Sequence, residues 1–103
     1  MMDDNLIELA KGLMKCYEEM YMLCYPLVER IIKYQIKDIN LIEHTLDQAL
    51  DIYTEKGFYL FLKLLLYYRT VNYQNACEYL EILKKDREEE YNEFVKKIGK
   101  KQK

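Results

Sequence analysis

The sequence contains no serine and no tryptophan, and it uses proline once and glycine three times. Proteins built from strands and tight turns depend on glycine and proline at those turns, so their scarcity favours an all-α fold. The glycines, Gly12, Gly57 and Gly99, stand singly and do not form a glycine-rich phosphate-binding motif. The sequence therefore predicts helices and offers no motif for a nucleotide cofactor.

Charge and hydropathy also exclude several classes of protein. The 18 acidic and 16 basic residues give a formal net charge of -2, whereas nucleic-acid-binding domains are usually basic. No apolar run reaches the ~18 residues of a membrane span, and the longest, Phe58 to Tyr68, is interrupted by Lys63. Acidic residues stand where a secretory signal carries positive charge. We therefore expect a cytoplasmic protein that engages no membrane.

Residue types that carry chemistry are few and scattered. The three cysteines, Cys16, Cys24 and Cys77, form no C-x-x-C motif, and we expect them to be reduced thiols. The one histidine, His44, has Asp47 three residues later, but a metal site needs more ligands and a better donor set. The sequence therefore predicts a non-enzymatic protein with no metal site and no cofactor.

The first predicted helix carries the most regular pattern in the chain. Apolar residues alternate in steps of four and three from Leu6 to Tyr34, and we call this repeat the seam of the helix. A second apolar stripe runs beside the seam from Ile7 to Val28. Together they form a face wide enough to be buried in a helical bundle. Pro26 falls inside it, so either one helix kinks near this proline or a second helix begins there. Because the seam keeps its phase, the continuous helix is favoured.

Three further helices are predicted. Asn40 and Glu43 form a capping box for the second, and Thr54 can cap the third, which is apolar on every side and is therefore expected to be a buried central helix. Asn72 can cap a long C-terminal helix that ends at Ile98. We expect a four- to five-helix bundle, with one domain over residues 1–99 and a basic, disordered tail over residues 100–103.

The tyrosines give the strongest indication of a binding surface. There are eleven, and tyrosine packs its ring while its hydroxyl stays hydrated, which suits both core edges and interfaces. Both alternatives remain open here: core-edge packing, or an interface with a protein partner or a second copy in a homodimer. The candidate interface residues are Tyr17, Tyr21 and Tyr25 on the first helix and Tyr91, Phe94, Val95 and Ile98 near the C-terminus.

Several short segments between residues 25 and 80 carry a resemblance to a known group of proteins. They are Tyr25-Pro26-Leu27-Val28, Asp38, Ile42-Glu43-His44-Thr45-Leu46-Asp47, Asp51-Ile52-Tyr53-Thr54-Glu55-Lys56-Gly57 and Tyr67-Tyr68. In these segments the chain resembles small uncharacterised helical proteins encoded on conjugative elements and phages of Gram-positive bacteria. The resemblance implies a cytoplasmic accessory protein and supplies no site residues.

Three functions follow as hypotheses. The first is a non-enzymatic protein-protein interaction module, acting as an accessory or regulatory protein of a mobile genetic element. The second is an inhibitor of a host defence nuclease, which the small size and acidity would suit. The third is weak nucleic-acid binding through the lysine-rich C-terminus, Lys96 to Lys103, because lysines can contact phosphates.

Overall fold

A computed structural model describes residues 4–89, 91–93 and 96 of the chain. Within these residues the regular structure is entirely helical and contains no strand, which confirms the predicted all-α class. The elements are α1 (Asp4–Lys33), α2 (Ile39–Leu50), α3 (Glu55–Val71) and α4 (Tyr73–Asp86). Helical residues at 88–89, 91–93 and 96 follow as a fifth helix.

The chain divides into two compact units, Met1–Leu64 and Leu65–Lys103. The first unit holds α1, α2 and the beginning of α3, and the second holds the end of α3 together with α4. The single domain expected over residues 1–99 stays a prediction. The basic tail at 100–103 lies outside the described residues.

The first helix runs through Pro26 as one element of 30 residues, and the kink expected near this proline stays a prediction. The helix ends at Lys33, and Gln35, two residues further on, has left-handed backbone with φ 50°. The Ile36 N–H donates to the Ile31 carbonyl at 3.0 Å, and the Gln35 N–H donates to Ile32 at 3.2 Å. This pair of bonds is the Schellman arrangement, in which glycine is the usual left-handed residue.

The core of the first unit forms where the second half of α1 packs against α2. Apolar side chains from α1, α2 and the start of α3 are buried there, so these elements share one apolar interior. The buried residues of this unit include Cys24, Val28, Ile31, Ile42, Leu46, Ala49, Ile52, Phe58, Phe61 and Leu64.

The second helix begins earlier than the sequence suggested. Its N-cap is Asp38, whose carboxylate accepts a hydrogen bond from the Leu41 N–H at 3.3 Å. Asn40, which with Glu43 was expected to form a capping box, lies within the first turn instead. Both Asp38 and Asn40 are favourable capping residues, so the local sequence alone could not select between them.

The caps of the next two helices are confirmed. Thr54 Oγ1 accepts a hydrogen bond from the Gly57 N–H at 3.1 Å at the start of α3. Asn72 Oδ1 accepts from the Asn75 N–H at 3.0 Å at the start of α4. Each cap satisfies a backbone donor that the first turn of a helix leaves unpaired.

The third helix is not buried all round, contrary to the prediction. Phe61 and Leu64 are fully buried, but Tyr59 and Leu66 are 43% and 55% exposed. Lys63 lies on the same exposed side. The uniform apolar composition therefore concealed an amphipathic arrangement, because burial follows the position of neighbouring helices as well as the hydropathy of the segment.

The long C-terminal helix expected from Tyr73 to Ile98 is interrupted. α4 ends at Asp86, and Arg87 leaves helical geometry with φ -136° and ψ 54°. The Arg87 N–H still donates to the Leu83 carbonyl at 2.8 Å. The run of charged residues from 84 to 89 supplies no large apolar side chain that would hold the two segments in one continuous helix.

We predict opposite effects for alanine at two glycines. A Cβ at Gly57 would lie 2.5 Å from the Ile52 carbonyl oxygen and 2.6 Å from its Cβ, so G57A should lower the free energy of unfolding by about 2 kcal/mol. The matched control is G12A: a Cβ at Gly12 meets nothing within 4 Å, and alanine should stabilise this helix interior by up to about 1 kcal/mol. Urea denaturation measures both changes, and equal effects would contradict the prediction.

Candidate partner interface

The first half of α1 displays an apolar face that is largely exposed. Leu6, Leu9, Leu13 and Met14 are 56%, 70%, 51% and 53% exposed. The sequence predicted that the whole seam from Leu6 to Tyr34 would be buried, and for these turns that prediction is wrong. In the second half of α1, the same helix face is buried through Cys24, Val28 and Ile31.

Helix lengths explain why the burial stops partway along α1. At 1.5 Å per residue, the 30 residues of α1 extend over about 45 Å, whereas the 12 residues of α2 extend over about 18 Å. α2 therefore covers only part of the seam. In the first half of α1 the same apolar face continues, but α2 does not extend far enough to cover it.

A groove lies beside this face, between α1 and the start of α3. It has a volume of about 490 Å³, a size typical of a binding cleft. An open depression of about 390 Å³ adjoins it along α1, and the two share Met14. The groove is lined by Met14, Tyr17, Glu18, Tyr21, Met22, Thr54, Glu55 and Lys56.

The tyrosines of α1 are held in place by aromatic and cationic neighbours. The Tyr17 ring contacts Tyr53 with centroids 6.2 Å apart, and the Tyr21 ring contacts Tyr25 at 5.7 Å. The Lys56 ammonium lies 5.9 Å from the Tyr21 ring centroid, within the range of a cation–π interaction. Each of these contacts restricts the orientation of a tyrosine ring on the surface of α1.

An ion pair between α1 and α3 lies close to Tyr21 and Tyr25. Lys63 on α3 donates a hydrogen bond to Glu29 on α1. This bond is the main reason that the pKa of Lys63 lies above its ordinary value of 10.5, and Tyr25 and Tyr21 contribute electrostatically. Both side chains are about half exposed, so the pair orients the helices more than it stabilises them.

The structure brings together one part of the predicted interface. Tyr17 and Tyr21 line the same groove, and Tyr25 contacts Tyr21. Tyr91 belongs to the second unit, where it is half-buried. Phe94, Val95 and Ile98 lie outside the described residues, as does most of the C-terminal lysine cluster. The nucleic-acid hypothesis that depends on those lysines therefore stays a prediction.

Tyr53 and Lys56, which the sequence did not indicate, contact the α1 tyrosines of the candidate interface from the junction between α2 and α3. Their spacing from Tyr17 and Tyr21 gives no local pattern, since the contacts join residues more than 30 positions apart. The sequence did contain one indication of an exposed surface. The seam of α1 is much longer than the second helix, so the second helix can cover only part of it.

The cysteine nearest the core is chemically protected. Cys24 is 3% exposed, and its Sγ lies 3.8 Å from the Thr45 carbonyl oxygen as a weak donor. Burial raises the pKa of the Cys24 thiol from 9.0 to about 11, because the thiolate would be poorly solvated. Cys16 is exposed on α1 and Cys77 is partly exposed on α4. This arrangement makes Cys24 a packing residue.

The part of the chain that the structure describes has neither a metal-binding cluster nor a membrane-spanning helix. Among its residues, no group of three or more His, Cys, Asp and Glu side chains could hold a metal ion. None of its helices combines the length and apolar character needed to cross a bilayer. His44 is exposed on α2. The cytoplasmic location stays a prediction.

Comparison with known proteins gives no match of any kind. No protein-family model matches the chain, and no curated protein and no solved structure matches it.

We predict that the cysteines differ strongly in reactivity. With iodoacetamide at pH 8, Cys24 should react at least about 100-fold more slowly than an ordinary thiol, since a pKa raised by two units reduces the thiolate population by that factor. Cys16 should be modified first because it is exposed. Peptide mass spectrometry over time measures both rates, and denatured protein is the control. Equal rates in folded protein would show that Cys24 is accessible.

Proposed function

We propose that this chain is a non-enzymatic protein-interaction module that binds its partner through the first half of α1 and the adjoining tyrosine groove. One observation carries the proposal: Leu6, Leu9, Leu13 and Met14 are each more than half exposed on one helix face. Contiguous exposed apolar surface of this kind marks interaction sites in soluble proteins.

The energetic argument supports the same conclusion. Fully burying a leucine or methionine side chain contributes roughly 1.5–3 kcal/mol, and about half of that remains unrealised in each of these four residues. Burying these four side chains against a partner would therefore contribute on the order of 4 kcal/mol to the free energy of binding. Burial of the groove residues would add to this value. Tyr17 and Tyr21 add aromatic surface with hydroxyls at the rim, a composition that is enriched at interfaces.

The resemblance of residues 25–80 supports a biological setting for this module. Proteins of that kind are encoded on conjugative elements and phages, so we propose an accessory or regulatory role in a mobile genetic element. The exposed face of α1 lies mostly before residue 25, outside the resembling region. The binding surface is therefore proposed from geometry, and only the setting from resemblance.

Site-specific photocrosslinking tests the proposed function. A photoreactive amino acid at Leu13 in the full chain should give a discrete crosslinked product in cells. The same residue at Leu66 is the matched control, because the two leucines are 51% and 55% exposed. The captured protein is identified by mass spectrometry and its affinity is measured with purified components.

The outcomes separate clearly. Binding that is lost in L13E and kept in L66E supports the proposal, whether the partner is another protein or a second copy. A leucine-to-glutamate change at either exposed site should leave the helical circular dichroism spectrum unchanged. Absence of a specific product at Leu6, Leu9 and Leu13 alike would overturn it.

A further inference from the structure

We propose that a second copy of this chain occupies the apolar face of α1, with the two α1 helices antiparallel about a two-fold axis near Leu13 and Met14. The inference rests on the proposed function and names its partner. It depends on the area of the exposed face and on the sizes of the side chains along it.

The exposed area is close to what a dimer interface needs. Leu6, Leu9, Leu13 and Met14 each expose on the order of 100 Å², so together they provide about 400 Å². Their neighbours on the face, which are half-buried apart from the exposed Ala10, raise the total to about 700 Å² per protomer, compared with ~800 Å² per partner in an interface of standard size. The neighbouring residues on this face are Ile7, Ala10, Tyr17, Met20 and Tyr21.

Side-chain sizes along the face favour the antiparallel orientation. With the axis between Leu13 and Met14, these two residues face Met14 and Leu13 of the partner subunit. Ala10, the smallest side chain on the face, then lies opposite Tyr17 of the partner subunit. A parallel pairing would instead place alanine against alanine and tyrosine against tyrosine, which leaves a gap at one level and crowding at another.

Light scattering coupled to size-exclusion chromatography tests the dimer. The wild-type chain should show twice the monomer mass of 12.6 kDa at a concentration of about 100 µM, a range suited to a micromolar interface. L13E should weaken the dimer at least 10-fold, while the control L66E, with nearly equal exposure, should leave it unchanged. A monomeric wild-type chain, or equal loss in both variants, would overturn the proposal.

Chemical crosslinking tests the orientation in the full chain. Cys16 and Cys77 are first replaced by alanine, and buried Cys24 is retained. M14C places a thiol near the two-fold axis, so a short bis-maleimide should link two protomers. L6C should not link, because antiparallel helices separate the two copies by about 22 Å along the axis, or 15 residues at 1.5 Å each. Crosslinking at residue 6 as well as at residue 14 would establish a parallel pair and overturn the proposal.

The result also separates this inference from the proposed function. A monomeric chain that captures a different protein through Leu13 would refute the homodimer and leave the interaction module intact. A monomeric chain that captures nothing at this face would refute both. A dimer that dissociates in L13E supports both.

Discussion

The packing of the second half of α1 against α2 is the contact on which the first unit depends. Val28 and Ile31 from one helix and Ile42 and Leu46 from the other are almost completely inaccessible to solvent. At the edge of this contact the Cys24 thiol donates a weak hydrogen bond to the Thr45 carbonyl oxygen. The Thr45 hydroxyl donates to the Leu41 carbonyl oxygen at 2.8 Å. Polar atoms inside the contact are thereby paired, which removes the cost of burying them.

The same contact fixes the junction that follows. Ile52 is fully buried immediately after α2, and the chain turns so sharply there that the Cα of Gly57 has no room for a side chain beside it. That close approach sets where α3 begins and so places Lys56 and Lys63 toward the tyrosines of α1. The groove is therefore a product of core packing, although its lining residues are mostly exposed or half-buried.

Much of the fold could be predicted from the sequence because helices are specified locally. The periodicity of α1, the Thr54 and Asn72 caps and the all-α class depend on residues a few positions apart. Burial could not be predicted as well. The seam of α1 has one continuous pattern, yet Ile31 is 1% exposed and Leu13 is 51% exposed, because the pattern does not state how far the neighbouring helix extends.

The candidate interface shows the same division. The repeat of Tyr17, Tyr21 and Tyr25 at four-residue spacing correctly identified side chains that lie together. Tyr53 and Lys56 could not be found, since the contacts that join them to α1 depend on the path of the chain after α2. Arg87 is a further case: a charged helical pattern runs through it, but the backbone leaves helical geometry at that residue.

The first turns of α1 are not covered by α2, and this lowers the stability of the helix there. Isolated helices shorter than about 12–15 residues are marginal in water, and the turns from Asp4 to Tyr17 gain little from tertiary packing. Their hydrogen bonds should therefore open more readily than those near Val28, with faster amide exchange in the unbound chain. In the proposed interaction, association would therefore be coupled to the stability of these turns.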